Sequence, residues 1–231
     1  MTTATPDPTR PGAPLGATGE LIAVCRVHVL LPDAGAVGVT AIDKRPVEGP
    51  VKVRPLGLYA DVQADRAHHG GEEQAVYAYS QEDADHWSAE LGYEVAPGLF
   101  GENFRTRGVA ASGALIGERW QVGTAVLEVT QPRTPCSTFA RRLGEDRWVK
   151  RFTDANRTGA YLRVVPTGEV RAGDAVEVVF RPSHGVTIAD WFGSRVAGTT
   201  VEVARRLLAS EAEGEIRLSA EMRERTERAV R

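Results

Sequence analysis

Short apolar segments separated by glycine and proline run through most of this 231-residue chain. They recur at residues 21–31, 51–56, 74–79, 120–122, 125–130, 161–165 and 175–180. Within several of them β-branched and aromatic residues alternate with polar ones, which is typical of half-buried strands. A chain with many short strands can bury its apolar faces in a barrel or in a sandwich. We therefore predict a mainly β fold of one of these two types.

Two details of this pattern predict strand pairings. Gly123-Thr124 separates the segments 120–122 and 125–130, as in a hairpin with a two-residue turn. The segments 161–165 and 175–180, with Gly168 between them, are interpreted as the pair that closes the β structure.

A single helix is predicted inside the β region. Ser80 stands where an N-cap is expected, and Gly92 provides the stop. Ala84 and Trp87 share one face of the intervening segment at helical spacing. We interpret Trp87 as a core residue and not as a contact to a cofactor.

The pattern changes to a helical one after Arg181-Pro182. Residues 187–191, 199–210 and 219–230 are predicted to form three helices. The predicted organisation is a β domain at residues 21–181 followed by a small three-helix domain at 182–231. Residues 1–20, rich in proline, threonine and glycine, are predicted to be a disordered leader.

Composition argues against several classes of protein. With 28 Lys and Arg against 31 Asp and Glu, the net charge is −3, unlike the basic footprint of a nucleic-acid binder. There is no apolar run of the length that a membrane span or a signal peptide requires. Two cysteines in a chain of this size fit free thiols better than a disulfide. We therefore expect a cytoplasmic protein that contacts neither nucleic acid nor membrane.

Cys136 is the leading candidate for chemistry. Pro132 and Pro135 precede it just beyond a predicted strand, so the loop is stiff and can present a side chain into a cleft. Arg133 is close enough in sequence to favour a thiolate. A buried structural cysteine is the alternative, and the local sequence leaves both interpretations open. Cys25, inside an apolar segment, is interpreted as a core residue.

Two polar motifs are further candidates. His69 precedes Gly70 and Gly71, and such a turn can direct backbone N–H groups at an anion, although a purely structural turn is an equal alternative. Glu102 and Asn103 follow a glycine and can contact the donors and acceptors of a ligand. No zinc-binding pattern accompanies either motif.

Four cations lie near predicted strand ends: Lys44, Arg45, Arg133 and Arg157. Taken singly, each is a modest signal, and a surface turn is the preferred interpretation of the segment that contains Lys44 and Arg45. If the fold brings them together, they form a positive cleft around the thiol, suited to a phosphorylated or anionic ligand.

Five motifs, in this order, resemble the MOSC domain of YiiM-like proteins, which is related to the C-terminal domain of molybdenum cofactor sulfurases. They are IDKRPVEGPV, HHGGEEQAVYAYS, PGLFGENF, IGERWQVGTAVLEVTQPRTPC and NRTGAYLRV. The resemblance covers residues 21–181, and the C-terminal helices resemble the appendage that often follows this domain. It implies a β-barrel-like fold with one or more packed helices, followed by a small three-helix unit.

The resemblance also implies a site. The family's motif cysteine, here Cys136, would be the catalytic residue, as a ligand of molybdenum or as the carrier of a persulfide. The residues that would bind the molybdenum cofactor (molybdopterin) are Arg133, His69, Glu102, Asn103, Lys44, Arg45 and Arg157. A thiolate can act as a ligand of molybdenum, and the guanidinium of an arginine can donate two hydrogen bonds to the cofactor's phosphate.

Relatives are associated with the reduction of small N-hydroxylated compounds, including hydroxylamino purines. The sequence has no cysteine set for an iron–sulfur cluster and no GxGxxG loop, so a reductase of this kind would need an electron-donor protein as its partner. The alternatives are a persulfide carrier and a non-catalytic cofactor-binding module.

The pyridoxal-phosphate domain of the full-length sulfurases would not fit within 231 residues. The substrate, the oligomeric state and the role of the helices stay open; a cap on the barrel is the preferred role.

Overall fold

The computed structural model describes residues 15–35, 37–64 and 70–231, except for the side chains of residues 195 and 196. Thirteen strands lie within these residues: β1 (Thr18–Val27), β2 (Leu31–Pro32), β3 (Val39–Thr40), β4 (Lys44–Pro46), β5 (Val51–Arg54), β6 (Gly57–Leu58), β7 (Val76–Ser80), β8 (Phe104–Arg107), β9 (Arg119–Val122), β10 (Ala125–Pro132), β11 (Ala160–Val164), β12 (Gly168–Val170) and β13 (Ala175–Phe180). The helices are α1 (Gln81–Leu91), α2 (Ser137–Leu143), α3 (Trp148–Ala155), α4 (Ile188–Ala197), α5 (Thr200–Ala212) and α6 (Ala220–Val230), with a 3-10 helix at Glu72–Gln74. None of the described helices is long and apolar enough to cross a membrane.

Seven strands form a closed barrel in the order β13-β9-β10-β11-β7-β8-β1, and β1 pairs with β13 to complete it. Every neighbouring pair is antiparallel except β7 and β8. Closure leaves no unpaired sheet edge around the barrel. The prediction of a mainly β, barrel-like fold is confirmed, and of the two alternatives the barrel is the one that forms.

Local sequence explains the turn of the β9–β10 hairpin. Val122 pairs with Ala125 across the two-residue turn Gly123-Thr124, as predicted. Gly123 has φ +53°, and a Cβ at this position would collide with the carbonyl oxygen of Glu169. Glycine is therefore required here both for its backbone conformation and for space.

The parallel pair β7–β8 is joined by the crossover helix α1, as a parallel connection requires. Ser80 caps this helix by accepting from the backbone N–H of Asp83 at 3.3 Å, and Gly92 ends it with φ +76°. Both signals were expected from the sequence. Trp87 is fully buried on the inner face of the helix, which confirms its interpretation as core.

Three expectations need correction. The β region contains two further helices, α2 and α3, which were missed because seven and eight residues make only about two helical turns. Strands β11 and β13 do not pair with each other: β12 leaves the barrel between them to pair with β5, and β13 joins β9 and β1. The predicted leader overlaps β1, because Thr18–Val27 begins with residues that pair with β13, while its first fourteen residues lie outside the described residues.

Two apolar clusters hold the fold together. The larger one fills the barrel and continues into the C-terminal helices, so that Trp120 and Leu127 of the barrel share a core with Leu207 and Met222. The smaller one, called the aromatic cluster below, lies between α1, α2, α3 and the barrel wall; it contains Tyr77, Tyr79, Trp87, Phe100, Phe139, Trp148 and Phe152.

The shared core predicts that the C-terminal helices contribute to the stability of the barrel. Leu207→Ala should lower the free energy of unfolding by about 2–5 kcal/mol because it leaves a cavity in that core. Val201→Ala on the same helix, where the side chain is exposed, is the control and should change it by less than about 0.5 kcal/mol. Urea unfolding followed by circular dichroism measures both. A Leu207→Ala variant whose barrel unfolds at the wild-type urea concentration would contradict the shared core.

Candidate functional site

A cleft of about 280 Å³ opens beside the barrel wall, where β4, β7, β10 and β11 meet the loop that precedes β8. Polar side chains from widely separated parts of the sequence line it. Those that matter for its chemistry are Lys44, Gln74, Asn103, Arg133, Cys136 and Tyr161. The fold thus brings together four of the residues that the sequence nominates, Lys44, Asn103, Arg133 and Cys136.

Cys136 occupies the junction between β10 and α2. Strand β10 ends at Pro132, and Cys136 is the extended N-cap residue of α2, with φ −122° and ψ 172°. Its side chain is partly buried and packs against the aromatic cluster. The stiff, proline-framed segment therefore presents a reduced thiol to the cleft.

Arg133 is a buried cation on the wall of this cleft. Its side chain donates to the carbonyl oxygen of Phe100 at 2.9 Å, and its guanidinium lies over the ring of Phe139, 3.7 Å from the ring centre. No carboxylate of the described residues lies within ion-pair distance of it. By contrast, Arg141 and Arg142, on the helix that follows Cys136, are paired with Asp33 and Asp43 at 2.7 and 2.6 Å. Among the described residues, therefore, no carboxylate compensates the positive charge that Arg133 brings to the cleft.

Asp61 fixes the positions of two other polar side chains of the cleft lining. One carboxylate oxygen accepts from the Lys44 ammonium at 2.6 Å and from the Asn103 amide at 2.8 Å. The other accepts from the backbone N–H of Val27 at 2.8 Å. Lys44 and Asn103 are therefore held in fixed positions, and much of the positive charge of Lys44 is offset by its partner.

Glu102 lies outside the cleft lining, although the sequence nominates it as a contact to a cofactor. Its fully buried carboxylate accepts from the backbone N–H groups of Gly98 and Phe100, at 2.8 and 3.1 Å, and pairs with Arg105. All of these contacts are internal to the loop and the adjoining strand. Glu102 therefore shapes the cleft through the loop rather than lining it.

Arg45 and Arg157 also lie outside the cleft lining. Arg45 is largely exposed on β4 and is 3.4 Å from Asp43. Arg157 is buried at the start of α1, where it pairs with Asp83 at 2.7 Å. The condition that all four cations converge around the thiol is therefore not met, because Arg45 and Arg157 each pair with a carboxylate outside the cleft lining. His69 lies outside the described residues.

Sequence reasoning missed several polar side chains of the cleft, among them Gln74, Tyr77 and Tyr161. The two tyrosines are directly opposite each other on β7 and β11, with ring centres 5.3 Å apart. Burial raises the pKa of both hydroxyls, so both stay protonated at neutral pH. Tyr77 donates to the carbonyl oxygen of Thr158 at 2.8 Å. Both tyrosines stand in the recognised motifs, but they were considered only as parts of predicted strands.

The second cysteine has a different environment. Cys25 is fully buried in β1, and burial raises the pKa of its thiol to about 12. This confirms its interpretation as a core residue.

Comparison with known protein families and proteins matches the MOSC domain to residues 65–177. The chain is 32% identical to the protein YflK of Bacillus subtilis (strain 168) over 157 residues, which are 68% of this chain and 70% of that protein. It is also 32% identical to the protein YiiM of Escherichia coli (strain K12) over 155 residues, 65% of this chain and 68% of that protein. A third relative, a protein named reductase from Gibberella moniliformis, is 32% identical over 176 residues; these are 74% of this chain but 31% of the reductase.

A YiiM protein from another organism is also similar to this chain in its solved structure. The crystal structure of YiiM from Geobacillus stearothermophilus superimposes with a TM-score of 0.74 at 26% identity, over 92% of this chain and all of that one.

The contrast between the two cysteines is testable by alkylation. At about pH 8, iodoacetamide should label Cys136 in the native protein and leave Cys25 unmodified, because a thiol whose pKa is about 12 is almost wholly protonated there and is also shielded. Both cysteines should react in urea, which is the control. Peptide mass spectrometry measures the labelling; native labelling of Cys25 at the rate of Cys136 would contradict the assignment.

Proposed function

Because the chain belongs to the MOSC domain family, we propose that it binds the molybdenum cofactor and reduces N-hydroxylated compounds, such as hydroxylamino purines, with electrons from a partner protein. The observation that carries this proposal is Arg133, a buried guanidinium without a carboxylate partner among the described residues, on the same cleft as the partly exposed thiol of Cys136. A buried charge of this kind is costly unless an anion compensates it.

The donor set of the cleft fits the molybdenum cofactor. That group combines a molybdenum centre that accepts sulfur ligands, a pterin ring and a phosphate, and the cleft offers a thiol, aromatic walls from Tyr77 and Tyr161, and the guanidinium of Arg133. The volume of about 280 Å³ is close to the lower end of the range of small-molecule sites, about 300–1,000 Å³. We infer that Cys136 would hold the molybdenum and that Arg133 would hold the phosphate.

The other residues of the cleft would position these two. Asn103 and Lys44 are fixed by Asp61, at 2.8 and 2.6 Å, and so offer a preorganised polar wall to the ligand. The hydroxyl of Tyr161 has no hydrogen-bond partner among the described residues, and its raised pKa keeps its proton in place. It can therefore donate a hydrogen bond to an oxygen atom held in the cleft.

The bound cofactor would supply the redox chemistry. In the overall reaction the N–O bond of R–NHOH breaks, two electrons and two protons are taken up, and R–NH₂ and water leave. The chain has only two cysteines, too few for an iron–sulfur cluster, so the electrons would come from a partner.

The proposal predicts that cofactor loading depends on Cys136. Protein made in a host that synthesises the cofactor should contain molybdenum and pterin, and Cys136→Ala should lose the metal because its thiolate ligand is gone. Cys25→Ala is the matched control and should retain both. Metal analysis and pterin fluorescence measure loading, and turnover of hydroxylamino purine with an added electron donor measures activity.

Three outcomes decide the matter. Absence of molybdenum and pterin from the wild type as well as from Cys136→Ala would refute the proposal. Equal metal content in wild type and Cys136→Ala would refute the role of the thiol. A loaded wild type that reduces no N-hydroxylated compound with any donor would leave a binding module in place of an enzyme.

A further inference from the structure

Two arginines stand directly opposite each other where β1 pairs with β4. Arg26 is the cross-strand partner of Arg45, so both side chains leave the same face of the pair, and like charges in this position lower stability. Arg45 is 3.4 Å from Asp43, which also pairs with Arg142 at 2.6 Å. No carboxylate among the described residues forms an ion pair with Arg26. An anionic partner from outside the chain would relieve this repulsion.

A third arginine joins this pair through Tyr59. The guanidinium of Arg26 donates to the carbonyl oxygen of Tyr59 at 3.0 Å. The guanidinium of Arg54 lies over the ring of the same tyrosine, 4.8 Å from the ring centre, and it too has no ion pair within the described part of the chain. Three cations therefore meet on one small surface of a chain whose net charge is −3. A local excess of this kind gives the surface a positive potential.

Exposed apolar side chains accompany these cations at the border of the cleft. Tyr59, Leu56 and Val62 are 54%, 51% and 44% exposed. The carbonyl oxygen of Leu56 accepts from the side chain of Gln63 at 3.2 Å, and both Gln63 and Val62 line the cleft. We call this surface the arginine rim; it consists of Arg26, Arg45, Arg54, Leu56, Tyr59 and Val62.

The composition of the arginine rim is typical of a surface that binds another protein. Arginine and tyrosine are enriched in protein–protein interfaces, and both residue types often carry much of the binding energy. A nucleic acid binds mainly through contacts to many successive phosphates, whereas the rim sets three arginines beside exposed apolar side chains. Its positive charge complements a protein with an acidic surface.

We propose that the arginine rim is the docking surface for an acidic electron-transfer protein, which delivers its electrons to the cleft from there. The inference rests on the proposed function, because it takes the cleft to be the site of a reductase. For each N–O bond that breaks, the docked donor is oxidised by two electrons and the solvent supplies two protons. Since the rim borders the cleft that Cys136 lines, a donor docked there lies beside the site that it reduces.

The experiment uses the full chain, made in a cofactor-competent host, and two electron sources for the reduction of hydroxylamino purine. Reduced plant-type ferredoxin is an acidic protein that has to dock, whereas reduced methyl viologen is a small molecule that does not. Arg26→Glu combined with Arg54→Glu reverses the charge of the rim. Arg205→Glu combined with Arg228→Glu makes the same change of charge at two exposed arginines of α5 and α6 and is the matched control. Biolayer interferometry gives the Kd of ferredoxin for each protein.

Reversing the charge of the rim should lower kcat/KM for ferredoxin and raise its Kd, each by about tenfold or more at low ionic strength, because complementarity and electrostatic steering are lost. Turnover with methyl viologen should stay at the wild-type rate, and the control should change neither activity. The effect should shrink as salt is added. Arg26→Glu alone should not lower the urea midpoint of unfolding, because it places opposite charges across the β1–β4 pair.

Equal use of ferredoxin by the charge-reversed variant and the wild type would overturn the inference. So would a wild type that works with methyl viologen but neither binds nor uses ferredoxin. Tighter binding of a single-stranded DNA oligomer than of ferredoxin, with the same dependence on the two arginines, would overturn it in favour of a nucleic-acid site. If the wild type turns over with neither electron source, the proposed function fails. Ferredoxin binding that depends on Arg26 and Arg54 would then still support the docking surface, and its absence would overturn the docking surface as well.

Discussion

The geometry of the cleft depends on the hydrogen bonds and the ion pair made by the buried carboxylate of Glu102. It accepts from the backbone N–H groups of Gly98 and Phe100, and its charge is balanced by Arg105, a side chain that is also fully buried. A half-satisfied pair at this depth would be strongly destabilising, so the loop has essentially one conformation. That conformation presents the carbonyl oxygen of Phe100 to Arg133. The cleft is therefore shaped by a residue that does not line it.

Arg133 differs from the other buried charges of the fold, because no carboxylate among the described residues pairs with it. The pairs Glu102–Arg105 and Arg157–Asp83 compensate their buried charges within the protein, whereas Arg133 has a carbonyl oxygen and an aromatic ring as partners. Burial without a counter-charge lowers stability in the absence of a ligand. Such a residue is best explained by an anion that binds beside it, and the nearby thiol of Cys136 gives that anion a second point of attachment.

Much of the fold and part of the site could be predicted from the sequence. Turn chemistry at Gly123 and capping at Ser80 act locally, so both elements were predicted correctly. Proline framing and motif resemblance nominated Cys136 and Arg133, which share the cleft. Arg157 does not line the cleft because its side chain is directed to Asp83 in the first turn of α1, and a sequence shows the charge of a residue but not the direction of its side chain. The helices α2 and α3 were not predicted because each has only about two turns, too short a segment to be recognised as a helix.

The most direct test of the central claim is the stability of Arg133→Met without cofactor, together with its pterin content when it is made in a competent host. If Arg133 serves a ligand, methionine can fill the same space over Phe139 at little cost. The free energy of unfolding in urea should then stay within about 1 kcal/mol of the wild type, or exceed it, since replacing a buried charge by an apolar side chain is often neutral or stabilising. Pterin content should fall about tenfold or more. A loss of more than about 3 kcal/mol with undiminished pterin content would show that Arg133 serves the fold, and would contradict the account.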